Sequence, residues 1–192
     1  MSSLIEPCDF DRISWEEKPQ AERVASWMKT HHHDARILDV GCGPGLYVNE
    51  MRAVGLDAYG IDRDERLIEG PYLRQLNLVN PDRWPNDWVR RDLGFDVALS
   101  LEVGEHIPED GADAYIRFIA NTNPRVLYFS AARPGQGGEG HINLQPKAYW
   151  VEKMHRAGFW LDPDATDEWL GFMRSGPHLG WLTQNGICLK RA

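Results

Sequence analysis

Ile37-Leu38-Asp39-Val40-Gly41-Cys42-Gly43-Pro44-Gly45 decides the fold. Its apolar first half reads as the end of a buried strand over 35–40, and a helix is expected over 46–54. The glycines between them let the backbone turn tightly and approach a ligand closely. A glycine loop alone is a weak signal; a strand before it and a helix after it make it a binding loop. It is not the dinucleotide fingerprint, because Leu46 stands where that pattern needs a small residue. It is not a phosphate loop either, since no Gly-Lys-Ser/Thr follows.

Working outward, strands and helices alternate. A helix over 15–30 is predicted from Ser14 as cap, Glu17 three residues later, and the stripe Ala21, Val24, Ala25, Trp27 and Met28. Strands are predicted over 57–61, 72–78, 95–101, 126–131, 159–161 and 181–190. Helices are predicted after 61, over 110–120, over 146–157 with Pro146 at the start and Gly158 at the stop, and over 165–173. This order calls for an α/β fold with a largely parallel sheet and helices on both faces. Ligands in such folds bind at the carboxyl ends of the strands, where strand order reverses. The second strand ends in Gly60-Ile61-Asp62-Arg63, and a carboxylate some twenty residues past the glycines suits the two hydroxyls of a ribose.

A chain of 192 residues suits one domain able to bury its own core. The net charge of −8 argues against a broad grip on nucleic acid, which needs a basic surface. Cys8, Cys42 and Cys188 cannot all pair within the chain and form no Cys-x-x-Cys, so a reducing cytoplasmic setting is expected. No stretch approaches the length of a membrane span, and the first seven residues lack the basic and apolar regions of a signal peptide. His31, His32 and His33 are expected at an exposed helix end.

Asp39-Val40-Gly41-Cys42-Gly43-Pro44-Gly45 followed by Gly60-Ile61-Asp62 resembles the class I S-adenosylmethionine-dependent methyltransferases, over nearly the whole chain from about Arg36 to Arg191. The resemblance implies a Rossmann-like, seven-stranded, mostly parallel sheet whose last strand runs antiparallel between the fifth and sixth. It implies S-adenosylmethionine as cofactor and S-adenosylhomocysteine as product. Gly41, Cys42, Gly43 and Gly45 would pass beneath the cofactor, and Asp39 would place the methionine amine. Asp62, with Arg63 beside it, would hold the ribose. Asn77 stands where many relatives carry an adenine-binding aspartate; its amide oxygen can still accept from the adenine amine, with Leu78 alongside. Leu101 and Glu102 would flank the methionine part. Residues 1–34 would form a helical extension closing the site as a lid over a core of 35–192.

Methyl transfer is an in-line displacement, so the protein must align the acceptor and, for a hydroxyl, remove a proton. Glu105-His106 matches the Glu-His found here in many small-molecule methyltransferases, including those of ubiquinone biosynthesis. His106 and His141 are the candidate bases, His141 within the glycine-rich loop Gly135-Gln136-Gly137-Gly138-Glu139-Gly140-His141. Glu102, Glu105, His106 and His141 could also ligate a divalent ion, but no ligand spacing marks one, and the carboxylates are expected as cofactor and helix-start contacts. Tyr149 and Trp150 are expected to wall an acceptor pocket or to pack in the core. Residues 79–94, with Trp84, Pro85 and Trp88, are expected as an irregular helix beside the adenine. No Asn/Asp-Pro-Pro-Tyr/Phe follows the fourth strand, which points away from adenine and glutamine side-chain amines as acceptors. A small-molecule acceptor, methylated at oxygen rather than nitrogen, is the leading expectation. The alternatives are a nucleic-acid or protein methyltransferase guided by a partner chain, and a cofactor-binding protein without catalysis. Acceptor identity and oligomeric state stay open in the sequence.

Overall fold

A computed structural model describes residues 7–64, 70–80 and 94–191. The order of elements is α1 (Pro7–His31), β1 (Arg36–Val40), α2 (Leu46–Ala53), β2 (Asp57–Asp62), β3 (Leu73–Gln75), β4 (Val97–Leu101), α3 (Ala112–Asn121), β5 (Val126–Ser130), α4 (Lys147–Arg156), β6 (Phe159–Leu161), α5 (Pro163–Arg174), α6 (Gly180–Asn185) and β7 (Ile187–Arg191). The seven strands form one sheet in the order β3-β2-β1-β4-β5-β7-β6. Strands β1 to β5 pair in parallel, while β7 runs antiparallel to both β5 and β6. This is the expected sheet, with the last strand inserted between the fifth and sixth.

Alternation along each strand sorts the core into two layers. Ile37, Val97, Leu99, Tyr128 and Cys188 pack with the buried faces of α1, α2, α5 and α6. Leu38, Val40, Ala98, Leu127, Phe129 and Leu189 pack on the other face. There α3 contributes Ala112, Tyr115, Ile116 and Ile119, the spacing of one helical stripe, and α4 contributes Trp150 and Met154. The chain moves outward from β1 through β2 to β3, then returns to place β4 on the other side of β1. The strand order therefore reverses between β1 and β4, and the crevice at their carboxyl ends is the place for a ligand.

Four expectations need correction. Helix α1 begins at Pro7, so Ser14 lies inside it and is not its cap; a capping signature does not stop helix-compatible residues upstream from extending the helix. Strand β3 is shorter than 72–78, because only Leu73, Arg74 and Gln75 find partners on β2. Residues 181–190 are not one strand: Gly180–Asn185 is helical, and β7 begins at Ile187. Burial of Leu182 in the core overrides the strand-like composition of that run. The third histidine of the triplet is exposed, but His32 is half-buried, with Nε2 2.9 Å from the Tyr128 hydroxyl. The helix expected after β2 falls on 65–69, and most of the 79–94 connection on 81–93; both lie outside the described residues. Cys42 and Cys188 are free and buried, and no helix among the described residues is long and apolar enough to cross a membrane.

Candidate active site

The glycine loop is tied to the end of β2. The amides of Gly41 and Cys42 both donate to the Ile61 carbonyl, at 2.8 and 2.9 Å. Gly41, Gly43 and Gly45 take φ of 85°, 51° and 85°, the left-handed region that side chains resist. A Cβ on Gly41 would also meet Val103 at 2.4 Å. The Cys42 side chain is buried against Gly60, where a Cβ would come within 2.7 Å of its sulfur. Cys42 therefore offers a ligand its backbone, not its thiol. Asp62 Oδ2 accepts from the Gly43 amide and Oδ1 from the Asp64 amide, each at 3.0 Å. Each oxygen keeps a lone pair, so the carboxylate is oriented but not used up. Arg63 is exposed, and its carbonyl accepts from Gln75.

Asp39 is 3% exposed, and its Oδ2 has no hydrogen-bond partner among the described residues. Burial, then the charges of Asp62 and Glu17, push its pKa up to about 8. Glu17 on α1 is pushed up to about 7 by burial, then by Glu102 and Glu16, while a hydrogen bond from Tyr47 opposes the rise. This end of the crevice thus gathers carboxylates without a counter-charge, a field that suits a cation. Both folded pKa values lie above the ordinary carboxyl range near 4, so the folded state holds protons that the unfolded chain releases. The resulting stability is fully present below about pH 4 and is lost as pH rises through 7 to 8. The urea midpoint of the protein without cofactor is expected to fall between about pH 5 and about pH 8.5. A midpoint that rises over this window would show that these carboxylates are paired.

Glu102 follows β4 at φ 54°, unusual for a side chain that is not glycine. Its amide donates to the Ser130 side chain at 3.1 Å. Its carboxylate accepts from Asn185 Nδ2 at 3.2 and 3.4 Å. Leu101 is half-buried and Leu78 buried. Asn77 is exposed, and its Oδ1 already accepts from the Val79 amide at 3.1 Å; one lone pair on that oxygen remains for an adenine.

Beyond the glycine loop, the segment after β5 folds back onto the turn after β4. The amides of Ile142 and Asn143 donate to the Glu105 carbonyl at 2.9 and 3.0 Å. His106 Nδ1 lies 3.0 Å from the Gly140 carbonyl. The His106 and His141 rings meet edge to face with centroids 5.0 Å apart. His141 Nε2 lies 3.9 Å from Glu105 Oε1. A Cβ on Gly138 would stand 2.2 Å from the His141 ring, so a side chain there would displace the imidazole. Glu105 is fully buried, and its pKa is raised by burial and by Glu102, against the backbone amides of Glu105 and Ala132 that hold the carboxyl. Burial first, then His141, lowers the pKa of His106. One ligand atom each of Glu105, His106 and His141 lies within 4.8 Å of the others. The two candidate bases are therefore neighbours, and the Glu105 carboxyl lies within 4.8 Å of both, in reach of an imidazolium or a cation.

Trp150 takes the packing alternative. It is 1% exposed and stacks near Phe129 and Tyr115, with its ring against Gly104. Three residues were not among the expected site members. Glu17 and Tyr47 sit beside Asp39, and Asn185 holds Glu102. Nothing local marks Asn185, because its helix was read as strand; Glu17 was legible only as part of a capping pattern.

A family model described as a methyltransferase domain matches residues 15–163. A ubiquinone biosynthesis O-methyltransferase from Roseobacter denitrificans is 28% identical over 96% of this chain and 72% of its own length. Another, from Paraburkholderia phymatum, is 32% identical over 43% of this chain and 39% of its own length. The chain thus spans from under half to under three quarters of these two relatives. Among solved structures, magnesium protoporphyrin IX methyltransferase from Synechocystis PCC 6803 with S-adenosylhomocysteine bound superposes with a TM-score of 0.66. It is 15% identical and covers 100% of this chain and 90% of that one.

Proposed function

The chain belongs to the methyltransferase domain family, and we propose that it moves the methyl group of S-adenosylmethionine to a hydroxyl of a small-molecule acceptor. The observation that carries the reaction site is the imidazole pair His141 and His106 around buried Glu105, past the carboxyl ends of β4 and β5. The cofactor fits the crevice on the chain's own features. The glycines hold the left-handed turns that bring the main chain to the crevice, Asp62 is oriented with lone pairs to spare, and Asp39 carries an oxygen without a hydrogen-bond partner among the described residues. The neighbouring carboxylates suit a ligand bearing both an ammonium and a sulfonium.

When bound, S-adenosylmethionine supplies an electrophilic methyl group and leaves as S-adenosylhomocysteine. Gly41, Cys42, Gly43 and Gly45 let the backbone approach it, and Asp62, with Arg63 at its side, takes the ribose hydroxyls. Asn77 and Leu78 border the adenine, and Leu101, Glu102 and Asp39 border the methionine part. His141 takes the proton from the acceptor hydroxyl as its oxygen bonds to the methyl carbon. Glu105, 3.9 Å from His141 Nε2, stabilises the imidazolium that results once it gives up the proton that burial and Glu102 favour on it. The chain acts as one domain, with helix α1 covering the cofactor held by the core that follows it.

The gathering of one ligand atom each from Glu105, His106 and His141 within 4.8 Å also favours a second reading, in which the three hold a divalent ion that presents the acceptor oxygen. Kinship of the matched regions with ubiquinone biosynthesis O-methyltransferases supports transfer to oxygen. The test is a panel of phenols, catechols, sugars and amines incubated with methyl-labelled cofactor. Label is expected on a hydroxyl compound. Label only on amines would move the acceptor to nitrogen, and label only on added RNA or protein would favour a partner-guided macromolecular substrate.

A further inference from the structure

We propose that Glu17, on the N-terminal helix, is a cofactor-binding residue that brackets the methionine ammonium together with Asp39. The proposal rests on the cofactor assignment above and adds a second chain segment to that site.

Glu17 and Gln20 lie one turn apart on α1, and both engage the hydroxyl of Tyr47 in the first turn of α2. Gln20 Nε2 donates to that oxygen at 2.7 Å, and the same hydroxyl lowers the pKa of Glu17 against the effect of burial. Gln20 Oε1 accepts from the Leu179 amide at 2.8 Å, which fixes this face of α1 from its other side. Gln20 is 1% exposed, an unusual burial for a glutamine, and it is fully committed to these two partners. The arrangement holds Glu17 near enough for its charge to help raise the pKa of Asp39. Asp39 Oδ2 lacks a hydrogen-bond partner while nine-tenths and more buried. Buried polar groups without partners are rare in folded proteins, and one such group in a crevice points to a ligand.

The charges also need a partner. Glu17 faces Tyr47 from α2, Glu102 from the end of β4, and Asp39 from the end of β1, with Glu16 adjacent on its own helix. Among the described residues, neither Glu17 nor Asp39 pairs with a lysine, arginine or histidine; Lys18 pairs instead with Glu50. Two carboxylates that repel each other become an attractive pair once a cation sits between them. A primary ammonium has three donors, enough to satisfy the Asp39 oxygen and the Glu17 carboxylate together. On this reading α1 is part of the cofactor site, and the Gln20–Tyr47 pair positions its carboxylate.

Glu17→Gln keeps the size of the side chain and a partner for Tyr47 while removing the charge. Calorimetry on the full chain compares two ligands, S-adenosylhomocysteine and methylthioadenosine, which lacks the amino-acid part. The variant is expected to bind S-adenosylhomocysteine about tenfold or more weakly, the scale of a lost hydrogen bond to a charged group, and methylthioadenosine within about twofold of the wild type. Its melting temperature without ligand, at about pH 8, is expected to stay level or rise, because a like-charge repulsion is gone. Equal losses for both ligands, or a lowered melting temperature, would reduce Glu17 to a structural residue and overturn the proposal. Unchanged affinity for S-adenosylhomocysteine would also overturn it. Should the wild type bind neither ligand, the cofactor assignment itself falls, an outcome distinct from a wild type that binds both.

Discussion

Asp62→Ala is expected to weaken binding of S-adenosylhomocysteine by about ten- to a hundred-fold, because buried ribose hydroxyls lose a charged acceptor. The carboxylate is held by the Gly43 and Asp64 amides, so it meets the ligand without first losing side-chain freedom. Its removal also releases the Gly43 amide, one of the bonds that shape the loop. Gly43→Val is expected to do worse. Valine at φ 51° is strained, and its branched side chain projects where the cofactor backbone contact is required. Calorimetry measures both effects, and the melting temperature of each variant separates lost binding from lost folding. Asp62→Asn serves as the control that keeps the shape of the side chain; an affinity between those of wild type and Asp62→Ala is expected. Wild-type affinity in Asp62→Ala and in Gly43→Val would place the cofactor in another pocket.

The parts of this site that could be read from the chain are those where one short segment carries the whole signal. Ile37 to Gly45 is such a segment, since strand, loop and helix start are contiguous and the glycine φ values follow from the turn. The same holds for β4 and β5, whose apolar runs are buried on both faces and so need no alternation to be recognised. What escaped is what tertiary packing decides. Trp181 and Thr183 suit a strand, yet Gly180–Asn185 turns helical, with Leu182 drawn into the layer beside α5. That change of state puts Asn185 against Glu102. Glu17 read as half of a capping box, a local role, whereas its partner Tyr47 lies on the next helix and its neighbour Asp39 at the end of the first strand. His106 and His141 were separate candidates in sequence; only the return of the loop onto the Glu105 carbonyl makes them one cluster. Trp150, equally open in sequence, went to the core because Gly104 leaves a slot for its ring.

With an acceptor identified by methyl labelling, His141→Ala is expected to lower turnover by about a hundredfold or more and to leave affinity for S-adenosylhomocysteine nearly intact. The imidazole lies beside Glu105, away from the Gly41–Gly45 loop, so its loss removes a proton acceptor without touching the cofactor cradle. His106→Ala, made in parallel, separates two arrangements of the same cluster. If His141 is the base, His106 contributes by packing edge-on against it and by holding Gly140, and its removal costs less than removal of His141. Glu105→Gln would then also slow turnover, because the imidazolium loses its buried counter-charge. If the three side chains instead hold a divalent ion, His106→Ala and His141→Ala fall together with Glu105→Gln, since each deletes one ligand. In that case a chelator stops the wild-type enzyme, and added metal restores it. Loss of turnover in His106→Ala alone, with His141→Ala active and the chelator without effect, would move the base to His106 and leave the reaction class standing. Full turnover in both histidine variants would leave the proton to water, and the preference for an oxygen acceptor would lose its main structural support.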